Sequence, residues 1–337
     1  MKRLVVHIGQ HKTGSKALQS FCFYNRHRLA QQGLLYPSGH PPPHPIAYQI
    51  SHYRLYQALL HHDDEGLQNW FQQLAAQPQP GVLLSAEDTF EMLTAHQLDF
   101  CLPRVERAAA MLHRSAVAAG FHPQIILYLR RQDESLASHY SQYLRGGGDP
   151  SLSLHDFLRA TPWRLDPRPT LRAWAGIFSP QDFCLREYPA GGIVHDLFNA
   201  TFEPEILQHC QQPPPSFETS NPSSDRDTLE LIRLAHRLGL GRLKDALVAS
   251  APTNAPRANI RSWLNPTQLR QFRNQCRPIN HDIAQGYQLH WSPDPPLGPD
   301  WRPYRGLSLT TLAYRLVRLV LKSSRSSAQL GAQTAIE

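Results

Sequence analysis

The sequence predicts an α/β fold, a doubly wound parallel sheet whose two faces are covered by helices. Apolar runs at 3–8, 81–85 and 124–129 are short and nearly continuous, which is typical of strands buried on both faces. A fourth run, at 182–186, continues the series, and segments with helical periodicity separate the runs. The 337 residues, of which 41% are hydrophobic, are sufficient for one large core.

The first strand, Arg3–Ile8, leads through a glycine-containing turn into a helix predicted from Ser15 to Gln32, which Gly33 ends. The segment 39–45, GHPPPHP, cannot be helical and is predicted to be a surface loop. The remaining predicted elements are, in order, helices at 53–60 and 66–76, a strand at 81–85, a helix at 95–119, a strand at 124–129, a helix at 132–144 ended by Gly146–Gly148, and a strand at 182–186.

The C-terminal third is predicted to be a helical, loop-rich elaboration of the same domain. The chain becomes rich in proline and serine beyond Glu203 and then has a helical pattern over 227–249. We therefore expect one domain over 1–300, followed by a basic amphipathic helix and tail at 301–337. Within that tail, 309–322 is apolar on one face and carries arginine and lysine on or near the other. An ordinary docking helix is the preferred interpretation, although the pattern is also compatible with peripheral membrane contact.

The charge and the cysteine content limit the class of protein. The net charge of +7 suits an anionic ligand. The five cysteines are scattered and odd in number, which argues against a disulfide framework and against a zinc site and favours a reducing compartment. The N-terminus lacks a signal-peptide pattern, and no apolar stretch approaches the roughly 20 residues that span a bilayer. A cytoplasmic protein with no transmembrane segment and no nucleic-acid partner is therefore expected.

The segment 9–16, GQHKTGSK, lies between the first strand and the first helix and has the composition of an anion-binding loop. Glycines let such a loop curl, so that successive backbone N–H groups point at an anion, and the helix N-terminus adds its dipole. Lysine adds a full charge, and threonine and serine add hydroxyl donors. The predicted binding residues are Gly9, His11, Lys12, Thr13, Gly14, Ser15 and Lys16. The alternative is a strand–helix turn that binds nothing.

A nucleotide-kinase loop is the first functional alternative. Gly9 and Gly14 have the separation of the G-x-x-x-x-G-K-[ST] pattern, but Ser15 precedes Lys16, which inverts the required order. The apolar strand GVLLS also ends in serine rather than in a magnesium-binding aspartate. The metal-dependent NTPase hypothesis is therefore the less favoured one.

The segment His7–Gln19, HIGQHKTGSKALQ, resembles the 5′-phosphosulfate loop of sulfotransferases, especially their bacterial and heparan-sulfotransferase-like members. Tyr24–Arg26 (YNR) and Gly33–Pro37 (GLLYP) are similar to the bacterial branch. The loop departs from the family pattern at Ser15, where threonine is usual, and at Lys16, where threonine or arginine is usual. The resemblance implies a P-loop-containing nucleotide-hydrolase-like fold, 3′-phosphoadenosine 5′-phosphosulfate as donor, adenosine 3′,5′-bisphosphate as product, and no metal.

A second signature follows the strand at 124–129. Arg130 comes directly after the strand, and Ser138 lies in the helix that begins soon afterwards. In the sulfotransferase family this arrangement holds the 3′-phosphate, so the resemblance implies that role for Arg130 and Ser138, and an arginine fork suits a phosphate. Arg131 is the ambiguous neighbour, since a shift of one residue would exchange the roles. Two signatures in the right order are more specific than either alone.

The resemblance implies an enzyme that transfers a sulfuryl group in line to a hydroxyl of a carbohydrate or other polar small-molecule acceptor. Lys12 would stabilise the leaving phosphate, and a general base would take the acceptor's proton. Glu87, just beyond the strand at 81–85, is the first candidate base, with a helix-capping role as the alternative; His44 is the second. The competing functions are a P-loop kinase or NTPase, and a catalytically inactive relative that binds a nucleotide or a protein.

Overall fold

A computed structural model of the chain describes residues 1–10, 13–39, 46–93, 99–145, 149, 151–189, 191–214, 225–249 and 263–293. Within these residues five strands form one all-parallel sheet flanked by helices, so the predicted α/β class is confirmed. The strands are β1 (Lys2–Ile8), β2 (Leu34–Leu35), β3 (Gly81–Ala86), β4 (Phe121–Leu129) and β5 (Phe183–Glu187).

The helices number thirteen among the described residues, and several short 3-10 turns accompany them. They are α1 (Ser15–Tyr24), α2 (Arg26–Gln31), α3 (Ile46–Ile50), α4 (Tyr53–His61), α5 (Asp64–Ala75), α6 (Leu102–Ala118), α7 (Gln132–Arg145), α8 (Leu154–Ala160), α9 (Arg168–Ala175), α10 (Ile193–Thr201), α11 (Arg226–Arg237), α12 (Lys244–Ala249) and α13 (Pro266–Tyr287).

The sheet has the strand order β2-β3-β1-β4-β5, with β1 at its centre. His7 of β1 pairs with Ser85 of β3 on one side and with Ile126 of β4 on the other. The chain leaves β1 toward β2, and it leaves β4 toward β5 at the opposite edge. Ligands of open parallel sheets bind where neighbouring connections diverge in this way, at the carboxyl ends of the strands. The loop after β1 and the residue after β4 lie at that place.

Alternate residues of β1 enter two separate cores, as expected for a central strand. Leu4, Val6 and Ile8 pack into the core beneath α4, α5, α6 and α9. Val5 packs into the core on the other face, beneath α1, α2 and α10, together with Leu18. Helices therefore cover both faces, which accounts for the nearly continuous apolar runs of the strands.

The predicted helix from Ser15 to Gln32 is in fact two helices, because Asn25 interrupts it. The side chain of Asn25 is fully buried, and its Nδ2 atom donates to the carbonyl oxygens of Phe21 at 3.0 Å and Gln211 at 2.8 Å. The backbone N–H of Gln211 donates in return to Asn25 Oδ1 at 2.8 Å. This contact joins residues 186 positions apart, so local periodicity could not indicate it.

Other element boundaries also differ from the prediction. The pair Leu34–Leu35 forms a strand that is too short to produce a sequence pattern. Of the helix predicted at 95–119, the described part begins at Leu102, with Pro103 in its first turn, where a missing N–H costs nothing. The helix predicted at 227–249 is divided around Gly239, whose φ is +71°. The sequence pattern predicts no separate helices at the positions of α3, α8, α9, α10 and α13.

Contacts divide the chain into two compact units. The first consists of Met1–Gln132, Thr161–Asn221 and Cys276–Asp294, and contains the whole sheet. The second consists of Asp133–Ala160, Pro222–Gln275 and Pro295–Glu337. The single domain over 1–300 stays a prediction.

Within the second unit, α11 and α12 pack against each other through a small apolar cluster that contains Ile232 and Leu247. Arg273 Nε also donates to the buried carboxylate of Asp133 at 2.7 Å. The amphipathic helix predicted at 309–322, within the tail at 301–337, lies outside the described residues. Across the described parts of the chain, no helix is both long and apolar enough to cross a membrane.

Candidate functional site

The loop that follows β1 packs tightly against the turn that follows β3. The backbone N–H of Gly9 donates to the carbonyl of Ala86 at 3.4 Å. A Cβ atom at Gly9 would lie 2.7 Å from Ser15 Oγ and 3.1 Å from the Cα of Glu87. Any larger residue would therefore displace the serine side chain and press on the backbone of Glu87. Three of the residues predicted for the site meet at this glycine.

The other end of the loop depends on Gly14, which has a φ of +75° and stands at the N-cap position of α1. This left-handed conformation is readily adopted by glycine and is costly for residues with a side chain. The ring of Tyr188 lies so close that a Cβ at Gly14 would be 3.2 Å from it. Thr13 is fully buried, and its hydroxyl donates to the carbonyl of Gln10 at 2.7 Å. Thr13 therefore shapes the loop internally.

Ser15, the first residue of α1, has a buried hydroxyl that finds no hydrogen-bond partner among the described residues. A buried hydroxyl without a partner costs free energy, whereas an anion in the loop would accept its hydrogen bond. Within the described chain, no side chain caps α1, and its first turn contains no acidic residue. The N-terminal end of the helix dipole therefore faces this place without a neutralising charge from its own first turn. These features fit a bound anion.

Three of the predicted site residues lie outside the described residues: His11 and Lys12 of the loop, and His44. Lys16 is described and lies exposed on the first turn of α1, on the wall of a cleft. The loop therefore has at least one described cation at its rim.

Arg130 is tied to the loop from two directions. Its backbone N–H donates to Oε1 of Gln10 at 2.9 Å, and the Gln10 side chain is itself buried. The guanidinium carbon of Arg130 lies 5.0 Å from the centroid of the Tyr188 ring, within cation–π distance. Tyr188 thus contacts both Arg130 and the Gly14 end of the loop. Sequence reasoning missed Gln10 and Tyr188, since each acts through a partner far away in the chain.

The two adjacent arginines have different surroundings. Arg131 Nη1 donates to the carbonyl of Ser292 at 2.9 Å, whereas Arg130 contacts Gln10 through its backbone N–H and Tyr188 through its guanidinium. Ser138 is a half-buried residue of α7, in the second unit. Among the described residues of the first unit, the structure brings Gly9, Gly14, Ser15, Glu87 and Arg130 to the carboxyl ends of β1, β3 and β4.

Glu87 begins a 3-10 turn, Glu87–Thr89, directly after β3. The N-cap positions of this turn and of α6 are Ala86 and Cys101, so Glu87 caps neither element. Its side chain is half-buried and lines a cleft of about 160 Å³ beside the loop. The cleft is lined by Lys16, Gln19, Tyr48, Ile50, Ser51, Tyr53, Tyr56, Ala86, Glu87 and Asp88. The tyrosines of this cleft were not predicted, although the spacing of Tyr53 and Tyr56 would have placed both on one face of a helix.

A buried polar network holds the end of β3. The N–H of Ser85 donates to Nδ1 of His52 at 2.8 Å, so the proton of that ring is on Nε2, which bonds the carbonyl of Pro37 at 2.9 Å. The hydroxyl of Ser85 lies 2.9 Å from His7 Nδ1 and 3.3 Å from Gln19 Nε2. Burial lowers the pKa of His7 to about 3 and that of His52 to about 4. Both rings are therefore neutral at physiological pH.

These two histidines predict a loss of stability in mild acid. Both bind a proton more readily in the unfolded chain, with a pKa near 6.5, so their stabilising contribution is complete above that value. It is lost as pH falls toward the folded values of about 3 and about 4. Between pH 7 and pH 5 each is expected to remove about 2 kcal/mol from the free energy of unfolding.

Denaturant unfolding at both pH values measures the change. His7→Gln should show a smaller loss between the two pH values than the wild type, whereas His61→Gln, at an exposed position, should lose as much as the wild type. If the wild type and His7→Gln lost the same free energy of unfolding between the two pH values, the lowered pKa of His7 would be contradicted.

Neither a protein-family model, nor a curated protein, nor a solved structure matches this chain. The function is therefore inferred from the chemistry of the residues described above together with the sequence patterns.

Proposed function

We propose that this chain is a sulfotransferase that uses 3′-phosphoadenosine 5′-phosphosulfate as donor and an acceptor with a hydroxyl group. One observation carries the proposal. The anion-binding loop after β1, Arg130 after β4 and a carboxylate after β3 converge at one edge of the sheet. A donor with phosphates at both its 5′ and its 3′ position requires two separate anion contacts, and the loop and Arg130 supply two.

The loop suits the 5′ side of such a donor. Ser15 has a buried hydroxyl that lacks a partner in the described chain, α1 offers its N-terminus, and Lys16 lies at the rim. Lys12, assigned from the sequence, adds the charge that would stabilise the leaving phosphate. Arg130 suits the 3′ side, since its fork can bind a phosphate with two parallel hydrogen bonds. Bound there, the donor would supply the sulfuryl group and the adenosine bisphosphate leaving group.

Glu87 suits the role of general base. It adjoins the loop at Gly9 and lines the cleft from which an acceptor can approach. In the proposed reaction, the Glu87 carboxylate takes the hydroxyl proton as the acceptor oxygen bonds to sulfur. The bond between sulfur and the 5′-phosphate oxygen breaks in the same displacement, and cationic residues stabilise the charge on the phosphate.

A magnesium-dependent kinase or NTPase is the second candidate, and one observation favours it. Ser15 Oγ and the backbone of Glu87 both lie against Gly9, so the segment that carries the serine hydroxyl adjoins the segment that carries the Glu87 carboxylate. Oxygen ligands of this kind hold Mg²⁺ in nucleotide sites. The two candidates differ in the ligand they predict.

Calorimetric titration of the full chain distinguishes them. Adenosine 3′,5′-bisphosphate should bind at least about tenfold more tightly than adenosine 5′-phosphate, since a charge-assisted contact contributes about 1.5–3 kcal/mol. It should also bind more tightly than ATP with magnesium, and EDTA should not weaken it. Equal or tighter binding of ATP with magnesium would overturn the proposal in favour of the second candidate.

A further inference from the structure

The cleft beside Glu87 has one aromatic wall. The rings of Tyr53 and Tyr56 lie 5.2 Å apart, tilted by 31°, and the ring of Tyr48 meets Tyr53 edge-on at 6.2 Å. Tyr56 is buried, and its hydroxyl donates to the carbonyl of Leu93, which holds the Tyr56 ring in place within this wall. Tyr48 remains exposed at the opening. The wall therefore offers a supported aromatic surface that one face of a six-membered ring can cover.

Polar and charged residues also line the cleft, and among the described ones negative charge predominates. Glu87 and Asp88 contribute two carboxylates, and Lys16 contributes one ammonium group. Burial raises the pKa of Tyr53, and the negative charge of Asp88 raises it further. Gln19 is buried at the cleft, with its Nε2 atom held by the carbonyl and the hydroxyl of Ser85, both at 3.3 Å. The carboxylates can accept hydrogen bonds from hydroxyl groups, whereas they repel an anion.

The size of the cleft sets a limit on what enters it. Its volume is about 160 Å³. A protein cavity of about 150 Å³ holds one benzene molecule. The cleft therefore has room for about one six-membered ring, and further rings of a longer acceptor would lie outside it.

We propose that the cleft is the acceptor subsite and that it takes a single uncharged, hydroxyl-bearing ring of the pyranose type, such as the terminal unit of a neutral glycan. The inference rests on the proposed sulfotransferase function and specifies its acceptor. One face of the sugar ring packs on Tyr53, and its hydroxyls donate to Glu87 and Asp88. An acidic sugar is disfavoured because its carboxylate would lie beside two others.

The same charges act on the product. The acceptor's proton passes to Glu87, an O–S bond forms, and the sulfur separates from the donor's phosphate oxygen. The sulfate ester that results carries a negative charge that the neutral acceptor lacked. Asp88 and any deprotonated Glu87 then repel it, so the cleft favours the substrate over the product.

Steady-state release of adenosine 3′,5′-bisphosphate by the full chain tests the inference with two matched probes, methyl glucopyranoside and methyl glucopyranosiduronate. The neutral glycoside should have a kcat/KM at least about fivefold higher than the uronate. Tyr53→Ala should raise KM for the neutral glycoside about three- to tenfold, and the affinity for the bisphosphate should stay within about twofold. Tyr24→Ala, at a tyrosine that does not line the cleft, is the control and should not change KM.

Asp88→Asn gives a second, conservative test. Because it removes one carboxylate from the cleft, it should reduce the difference in kcat/KM between the neutral glycoside and the uronate. A uronate that reacts as well as the neutral glycoside, or an unchanged KM in Tyr53→Ala, would overturn the acceptor assignment. The affinity for adenosine 3′,5′-bisphosphate distinguishes a wrong acceptor from a wrong donor. If the bisphosphate binds tightly while the glycoside results contradict the inference, the donor proposal stands and only the acceptor class is wrong.

Discussion

Glu87→Gln is expected to lower the turnover number about 10²- to 10⁴-fold, the range that a positioned general base contributes. The variant keeps the size of the side chain and its place at the end of β3, but it removes the carboxylate that we propose accepts the proton. Because Glu87 lines the cleft proposed for the acceptor, affinity for adenosine 3′,5′-bisphosphate should stay within about threefold of the wild type. The measurement is the pre-steady-state rate of bisphosphate formation with the fastest acceptor found for the wild type.

A comparison with the second candidate base separates the two assignments. His44→Gln is the matched comparison and should keep most of the wild-type rate. A loss of less than about tenfold in Glu87→Gln, with a large loss in His44→Gln, would transfer the role of base to the histidine.

Arg130→Ala is expected to weaken binding of adenosine 3′,5′-bisphosphate about 10- to 100-fold, as the loss of a charge-assisted phosphate contact predicts. Binding of adenosine 5′-phosphate, which lacks the 3′ group, should change much less. Calorimetry gives the affinity of each ligand for the wild type and for Arg130→Ala. These four binding free energies form a double-mutant-type cycle, which isolates the free energy of the contact between Arg130 and the 3′-phosphate.

Arg131→Ala provides the control for this cycle, since that guanidinium donates to the carbonyl of Ser292. Arg130→Lys keeps the charge but loses the planar fork, so it should recover part of the affinity. Equal weakening of both ligands by Arg130→Ala would mean that Arg130 supports the loop and does not contact the 3′-phosphate.

Most of the sheet could be predicted from the sequence because buried strands have a strong local signal. Four of the five strands follow apolar runs, while Leu34–Leu35 is too short to produce one. The break at Asn25 could not be foreseen, since it depends on Gln211, which is remote in the chain. Local periodicity therefore predicts that a helix or strand exists, but it does not predict a boundary that is set by contacts with residues remote in the chain.

The candidate site shows the same division. Gly9 and Gly14 could be predicted as tight positions of the loop, and the structure gives Gly9 close contacts and Gly14 a positive φ. Glu87 could be proposed from its place at a strand end. Gln10 and Tyr188 could not, since their importance lies in contacts with Arg130, and the aromatic cleft appears only when α3, α4 and the turn after β3 meet. The roles of Lys12, His11 and His44 stay predictions.

The network around Ser85 bears on how uniquely the sheet assembles. A slip of β3 by one residue would turn Ser85 to the opposite face of the sheet and remove its hydroxyl from His7 Nδ1 and from Gln19 Nε2 in the interior. Purely apolar strands discriminate against such slips less sharply, because one aliphatic side chain substitutes for another. The buried polar cluster thus penalises misassembled sheets. It thereby fixes the location of Glu87, two positions further along the chain, although Glu87 is not part of the cluster.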